Sequence, residues 1–149
     1  MTRARRLLVA AACAAGAACG PPASAHAHSI VRVTGGELSY VSSDATSLNT
    51  LTGRMAGGDI ELRDPTVDGG TDPGPCRPGE ISEDADAWIV QVFCPRAGIT
   101  RVRADLADRE DRATVELPVP VTMLGGSGAD VLRTGEAADR ILGGKGNDT

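Results

Sequence analysis

Aspartate recurs at positions 130, 139 and 148, and an aliphatic residue stands two places after the first two, at Leu132 and Ile141. The last 25 residues divide into nines on this phase: Gly125-Gly126-Ser127-Gly128-Ala129-Asp130-Val131-Leu132-Arg133, then Thr134 to Leu142, then Gly143-Gly144-Lys145-Gly146-Asn147-Asp148-Thr149, cut short. Such a period constrains the fold more than composition does. Nine residues bury too little surface alone, so successive repeats must stack. Glycine permits a left-handed backbone, which lets the loops curl and turn their carbonyls inward. The first and third repeats keep their glycines, whereas in the second Thr134 and Ala137 replace two of them.

The pattern is G-G-x-G-x-D-x-U-x, in which a hard anionic oxygen and inward carbonyls suit calcium, a cation that takes six to eight oxygens in flexible geometry. Residues 125–149 resemble the RTX, or haemolysin-type, calcium-binding repeat family, and the layout of the whole chain resembles small exported proteins of actinobacterial type. The resemblance implies a parallel β-roll with two nonapeptides per turn and Ca2+ held between loops on the same side. Repeats one and three, 18 residues apart, then stack. Asp130 and Asp148 would face each other across one calcium, with the carbonyls of Gly126, Gly128, Gly144 and Gly146 completing the shell. Asp139, on the other side in the degraded repeat, would contribute weakly. Upstream, Leu106-Ala107-Asp108-Arg109-Glu110-Asp111 puts Asp111 19 residues before Asp130, with every motif glycine gone. Its first reading is a solvated charged turn. Its second is a lapsed repeat in which Arg109 fills the place of a missing calcium and neutralises Asp111.

From Ser29 to Leu124 the apolar pattern has period two, in short runs between Gly, Pro and Asp, which predicts β-strands. The runs are Ile30–Val33, Glu37–Val41, Asp59–Arg63, Trp88–Phe93, Ile99–Leu106, Ala113–Leu117 and Val119–Leu124. The Pro- and Gly-rich stretch 64–80 reads as a surface loop. The fold class expected is all-β: a short-strand region, solenoid- or sandwich-like, leading into a short C-terminal β-roll. The aromatics are Tyr40, Trp88 and Phe93 alone, too few for a thick core or for stacking on single-stranded nucleic acid. The formal charge of −5 also disfavours nucleic acid and anionic lipid.

The N-terminus reads as an export signal. Arg3, Arg5 and Arg6 precede the unbroken small or apolar run Leu7–Cys19, and Ala23-Ser24-Ala25 and Ala25-His26-Ala27 are cleavage sites of the A-x-A type. Cleavage is expected after Ala25 or Ala27, and the run is too short to span a bilayer. The alternative is a lipoprotein anchored at the cell surface through Cys19. Outside the signal only Cys76 and Cys94 remain, and in an oxidising compartment they are expected to pair. The histidines, His26 and His28, adjoin the cleavage point, and no nucleophile or metalloprotease motif is present. The domains expected are a signal peptide at 1–27, a β-rich region at 28–124 and repeats at 125–149, the last cut short, as in either a fragment of a longer repeat protein or a very short roll. The function expected is that of a secreted, non-enzymatic calcium-binding protein. The alternative is a structural or adhesive surface module in which calcium only rigidifies the fold.

Overall fold

A computed structural model describes residues 29–42, 48–64, 74–79 and 90–149. Within them the chain forms strands and no helix: β1 Ser29–Thr34, β2 Glu37–Ser42, β3 Thr50–Ala56, β4 Asp59–Asp64, β5 Arg77–Pro78, β6 Val90–Pro95, β7 Arg101–Asp105, β8 Arg112–Val115, β9 Val121–Ser127, β10 Val131–Thr134 and β11 Arg140–Lys145. They make two sheets, in the orders β1-β2-β7-β9-β11 and β10-β8-β3-β4-β6-β5.

The parallel ladders β2-β7-β9-β11 and β3-β8-β10 are the two walls of a solenoid, so the solenoid alternative holds. Each coil runs along one wall, turns a corner, runs along the other and turns back. Val102 pairs with Val121, 19 residues on, and Thr122 with Arg140, 18 on. The extra residue lies between β8 and β9, in the corner Glu116–Pro120, which holds Pro118 and Pro120. Strand β9 passes through residues 124 and 125 without a break.

Antiparallel strands close the N-terminal end: β1 beside β2 on one wall, and β4, β6 and β5 beyond β3 on the other. Sheet edges are prone to further pairing, and this arrangement covers two of them. The core is a thin slab between the walls. Leu38, Tyr40, Val102, Ala104, Val121 and Met123 face Leu51, Ile60, Leu62, Ala113, Val115 and Leu132, all of them buried. Small aliphatics suffice because the walls are close, which is why so few aromatics are needed. Ile141 continues the inward row of Met123, yet is 45% exposed, because β11 is the edge strand of its wall.

Strand β3 is not among the runs that alternation picks out, because Gly53 interrupts it, and glycine is depleted in strands. The reason is packing: a Cβ at Gly53 would lie 2.9 Å from Val115 Cγ1. Cys76 and Cys94 are disulfide-bonded, tying β5 to β6 as expected. Part of the predicted loop 64–80, the start of the predicted strand at Trp88 and the whole N-terminal signal with Cys19, His26 and His28 lie outside the described residues. No helix among the described residues is long and apolar enough to cross a membrane.

Candidate metal centre

The corner between the first wall and the second is built from three stacked loops: Leu106–Asp111, Gly125–Asp130 and Gly143–Asp148. In the upper two, Gly126 (φ 101°) and Gly144 (φ 107°) are left-handed, as are Gly128 (φ 149°) and Gly146 (φ 139°). Glycine is required here by space as well as by dihedral. A Cβ at Gly126 would strike the Ala107 carbonyl, and one at Gly144 or Gly146 would strike the carbonyl of Gly126 or Gly128 below. The loops are drawn together by main-chain bonds, the Gly128 N–H donating to Lys145 O at 2.7 Å.

At the end of each loop the aspartates form a ladder. The Asp130 N–H donates to Asp148 Oδ1 at 3.1 Å, and the Asp111 N–H donates to Asp130 Oδ1 at 2.8 Å. At the foot, Asn49 donates to Asp111 Oδ1 twice, from its N–H at 2.7 Å and its Nδ2 at 3.1 Å. Asp111 and Asp130 are buried, at 2% and 0% exposure. One oxygen of each carboxylate is thereby used. The other, Oδ2 of Asp111 and of Asp130, is buried with no hydrogen-bond partner. A buried carboxylate oxygen left unpaired is costly unless a proton or a cation meets it. Burial accordingly pushes the Asp111 carboxyl up to about 6, against the bonds from Asn49, and the nearby charges of Asp130 and Asp64 push the same way. The Asp130 carboxyl is also raised, first by burial and further by Asp148.

The donor set fits a hard cation. A Cβ at Gly125 would lie 2.5 Å from Gly143 O and also strike Asp130 Oδ2, so two oxygens from successive loops converge on room that only glycine leaves. Gly143 repeats this against Asp148 Oδ2. Among the described residues no group of three or more His, Cys, Asp or Glu side chains could hold a metal. A cation at this corner would therefore take two carboxylates and complete its shell with carbonyls, an all-oxygen mixture that suits calcium better than zinc, which prefers nitrogen and sulfur in four-coordinate sites.

The structure thus brings the Asp130 and Asp148 loops together, with Gly126 paired to Gly144. Asp139 stands at the opposite corner, its Oδ1 accepting from the Val121 N–H at 2.8 Å. Its Oδ2 is also buried without a hydrogen-bond partner, and in the same repeat Gly135 lies against the backbone of Glu116 and Leu117. Gly125 and the Gly143 carbonyl are not in the shell expected from the sequence; their part is visible only from their nearness to Asp130. Both readings of Leu106–Asp111 hold only in part: Asp108, Arg109 and Glu110 are exposed, as in a solvated charged turn, but Asp111 is buried within the ladder, and the charges acting on it are those of Asp130 and Asp64.

A parallel β-solenoid with glycine-lined corners and an aspartate ladder between stacked loops defines a coiled repeat protein. Residues 122–149 match the family model of the RTX calcium-binding nonapeptide repeat (4 copies), so the C-terminal coils carry RTX calcium-binding repeats. No curated protein and no solved structure gives a match to this chain.

Proposed function

We propose that the chain is an exported, non-enzymatic calcium-binding protein whose dominant site lies between the Gly125–Asp130 and Gly143–Asp148 loops. The observation that carries this is the convergence of Asp130 Oδ2 and Gly143 O on the space left by Gly125. Asp130 Oδ2 and Asp148 supply the charge, and the glycine backbone supplies the room and the carbonyls, those of Gly126, Gly128, Gly144 and Gly146 among the candidates. Bound there, calcium supplies positive charge between carboxylates that otherwise repel each other. The stacked loops gain order from that neutralisation, since coupled binding and folding is usual where ligands come from separate turns. Export rests on the Arg-rich, apolar N-terminus and on the Cys76–Cys94 bridge, which suits an oxidising compartment.

Calorimetric titration of the full chain with calcium tests the binding reading, and an absence of binding at millimolar calcium would sink it. N-terminal sequencing of the protein from culture medium tests export. A start between His26 and Ser29 is expected, and retention at the membrane with a lipidated Cys19 would instead establish the surface-anchored alternative.

A further inference from the structure

The lowest of the three corner loops, Leu106–Asp111, lies outside the residues that match the repeat family and contains none of its glycines. It nevertheless adopts the same backbone. Ala107 (φ 72°) and Arg109 (φ 94°) are left-handed where the loops above have Gly126 with Gly128 and Gly144 with Gly146, and no other non-glycine among the described residues has a positive φ. Residues with a side chain are strained in that region and persist there only where surrounding contacts impose it. The contacts are those of the upper pair. The Ser127 N–H donates to Ala107 O at 3.1 Å and the Arg109 N–H to Ser127 O at 2.5 Å, as Gly128 N–H does to Lys145 O above. Asp108 and Ser127 bridge in parallel register. The carbonyls of Ala107 and Arg109 lie against Gly126 and Gly128, as those of Gly126 and Gly128 lie against Gly144 and Gly146.

The carboxylates repeat the pattern too. Asp111 Oδ1 is held from below by Asn49 and the Asp111 N–H reaches up to Asp130 Oδ1, while Asp111 Oδ2 is buried and unpaired. A lapsed repeat would have lost its aspartate or met it with a cation of the chain. Asp111 Oδ2 has no hydrogen-bond partner, and the charges acting on Asp111 are those of Asp130 and Asp64.

We infer that the Leu106–Asp111 and Gly125–Asp130 loops form a second divalent-cation site, one coil below the dominant one, using Asp111, Asp130 and the carbonyls of Ala107 and Arg109. This rests on the reading of the upper corner as a calcium site. Besides Ala107 and Arg109, which keep the left-handed backbone, one replacement changes the room at the lower site. Where the upper loops have Gly125 and Gly143, the lower has Leu106, which is fully buried and brings a Cβ to the place where oxygens converge above. The lower site is therefore the weaker, and Asp130, between the two pairs of loops, is common to both.

The test is calorimetric titration of the full chain with calcium alone. Wild type should take up two ions in two resolved phases. Asp111→Asn, which keeps the acceptor for Asn49, should abolish the weaker phase and leave the tighter unchanged. Leu106→Gly should tighten the weaker phase on the order of tenfold, since it restores the missing room. A single ion, with stoichiometry unmoved by Asp111→Asn and affinity unmoved by Leu106→Gly, would overturn the second site and leave the dominant one standing. Uptake of no ion at all would overturn both. Should Asp111→Asn fail to fold, the Leu106→Gly titration decides on its own.

Discussion

Asp111 lies directly beneath Asp130, its main-chain N–H donating to Asp130 Oδ1 at 2.8 Å, and Asp130 makes the same bond to Asp148 at 3.1 Å. Each carboxylate therefore holds the coil that came before it. Removing one has two effects at opposite faces: it takes an oxygen from a cation site and leaves a main-chain donor unpaired in the coil below.

Alanine at Asp130 or Asp148 should weaken calcium binding on the order of 100-fold or more, because carbonyls cannot replace a charged ligand. Asp139→Ala should change it by no more than a few-fold, since Asp139 bonds to Val121 at the opposite corner. Titration of the three variants checks the order, and a greater loss in Asp139→Ala would place the dominant site at the wrong corner.

Gly126→Ala and Gly144→Ala should each destabilise the chain by ~2 kcal/mol or more, from left-handed strain and from collision with the carbonyl of the coil below. Gly58 has no atom within 4 Å of where a Cβ would go and no positive φ, so Gly58→Ala should stay within ~0.5 kcal/mol. Thermal unfolding at saturating calcium separates them. Equal melting temperatures in all three would show that the close stacking of the corner is not what fixes glycine there.

Replacing Cys76 and Cys94 by serine should cost ~3 kcal/mol, the loop-closure value for a bridge of separation 18. Calcium affinity should not change, because β5 and β6 lie at the far edge of the second wall, remote from the aspartate ladder. Denaturant titration and calorimetry on the double variant check both halves, and a drop in affinity would mean that the bridge and the ladder are coupled.

In chelator, the stability of the chain should fall as pH rises from about 4 to 7. The Asp111 carboxyl is raised from 3.8 to about 6 by burial, so over that interval the folded state binds the proton more tightly than the unfolded one. Its contribution is complete below the unfolded value and is lost as pH passes through the folded value. Asp111→Asn, uncharged at every pH, should flatten the dependence. Denaturant midpoints at pH 5 and pH 7 measure it, and an identical slope in the variant would exclude Asp111 as the source.

The parts of this molecule legible in its sequence are those where one residue type has one reason to be there. Glycine at 126, 128, 144 and 146 marks the left-handed corner, alternation marks β2, β4 and β7, and a lone cysteine pair marks the bridge. The left-handed corner of the lowest coil was illegible for the opposite reason, although the phase already put Asp111 in line with Asp130. That corner is imposed on Ala107 and Arg109 by the coil above, and nothing in those residue types advertises a left-handed backbone. Asn49 is harder still. It stands at the foot of the ladder 62 residues before Asp111, because β4, β5 and β6 intervene, and no period links the two. Gly53 hid β3 because the space that it leaves for Val115 is known only once the walls face each other.

The ladder also sets the unit in which such a molecule can change length. Its upper bond joins residue n to residue n + 18, from Asp130 to Asp148. Inserting eighteen residues above a coil leaves every contact beneath it as it was, whereas inserting nine would carry each following aspartate to the opposite corner and out of line with its predecessor. The 19-residue step from Asp111 to Asp130 shows how one residue of slack is taken up, in the proline-bearing corner between β8 and β9 rather than at the aspartates. Duplication by whole coils is thus structurally silent, and duplication by a single nonapeptide is not.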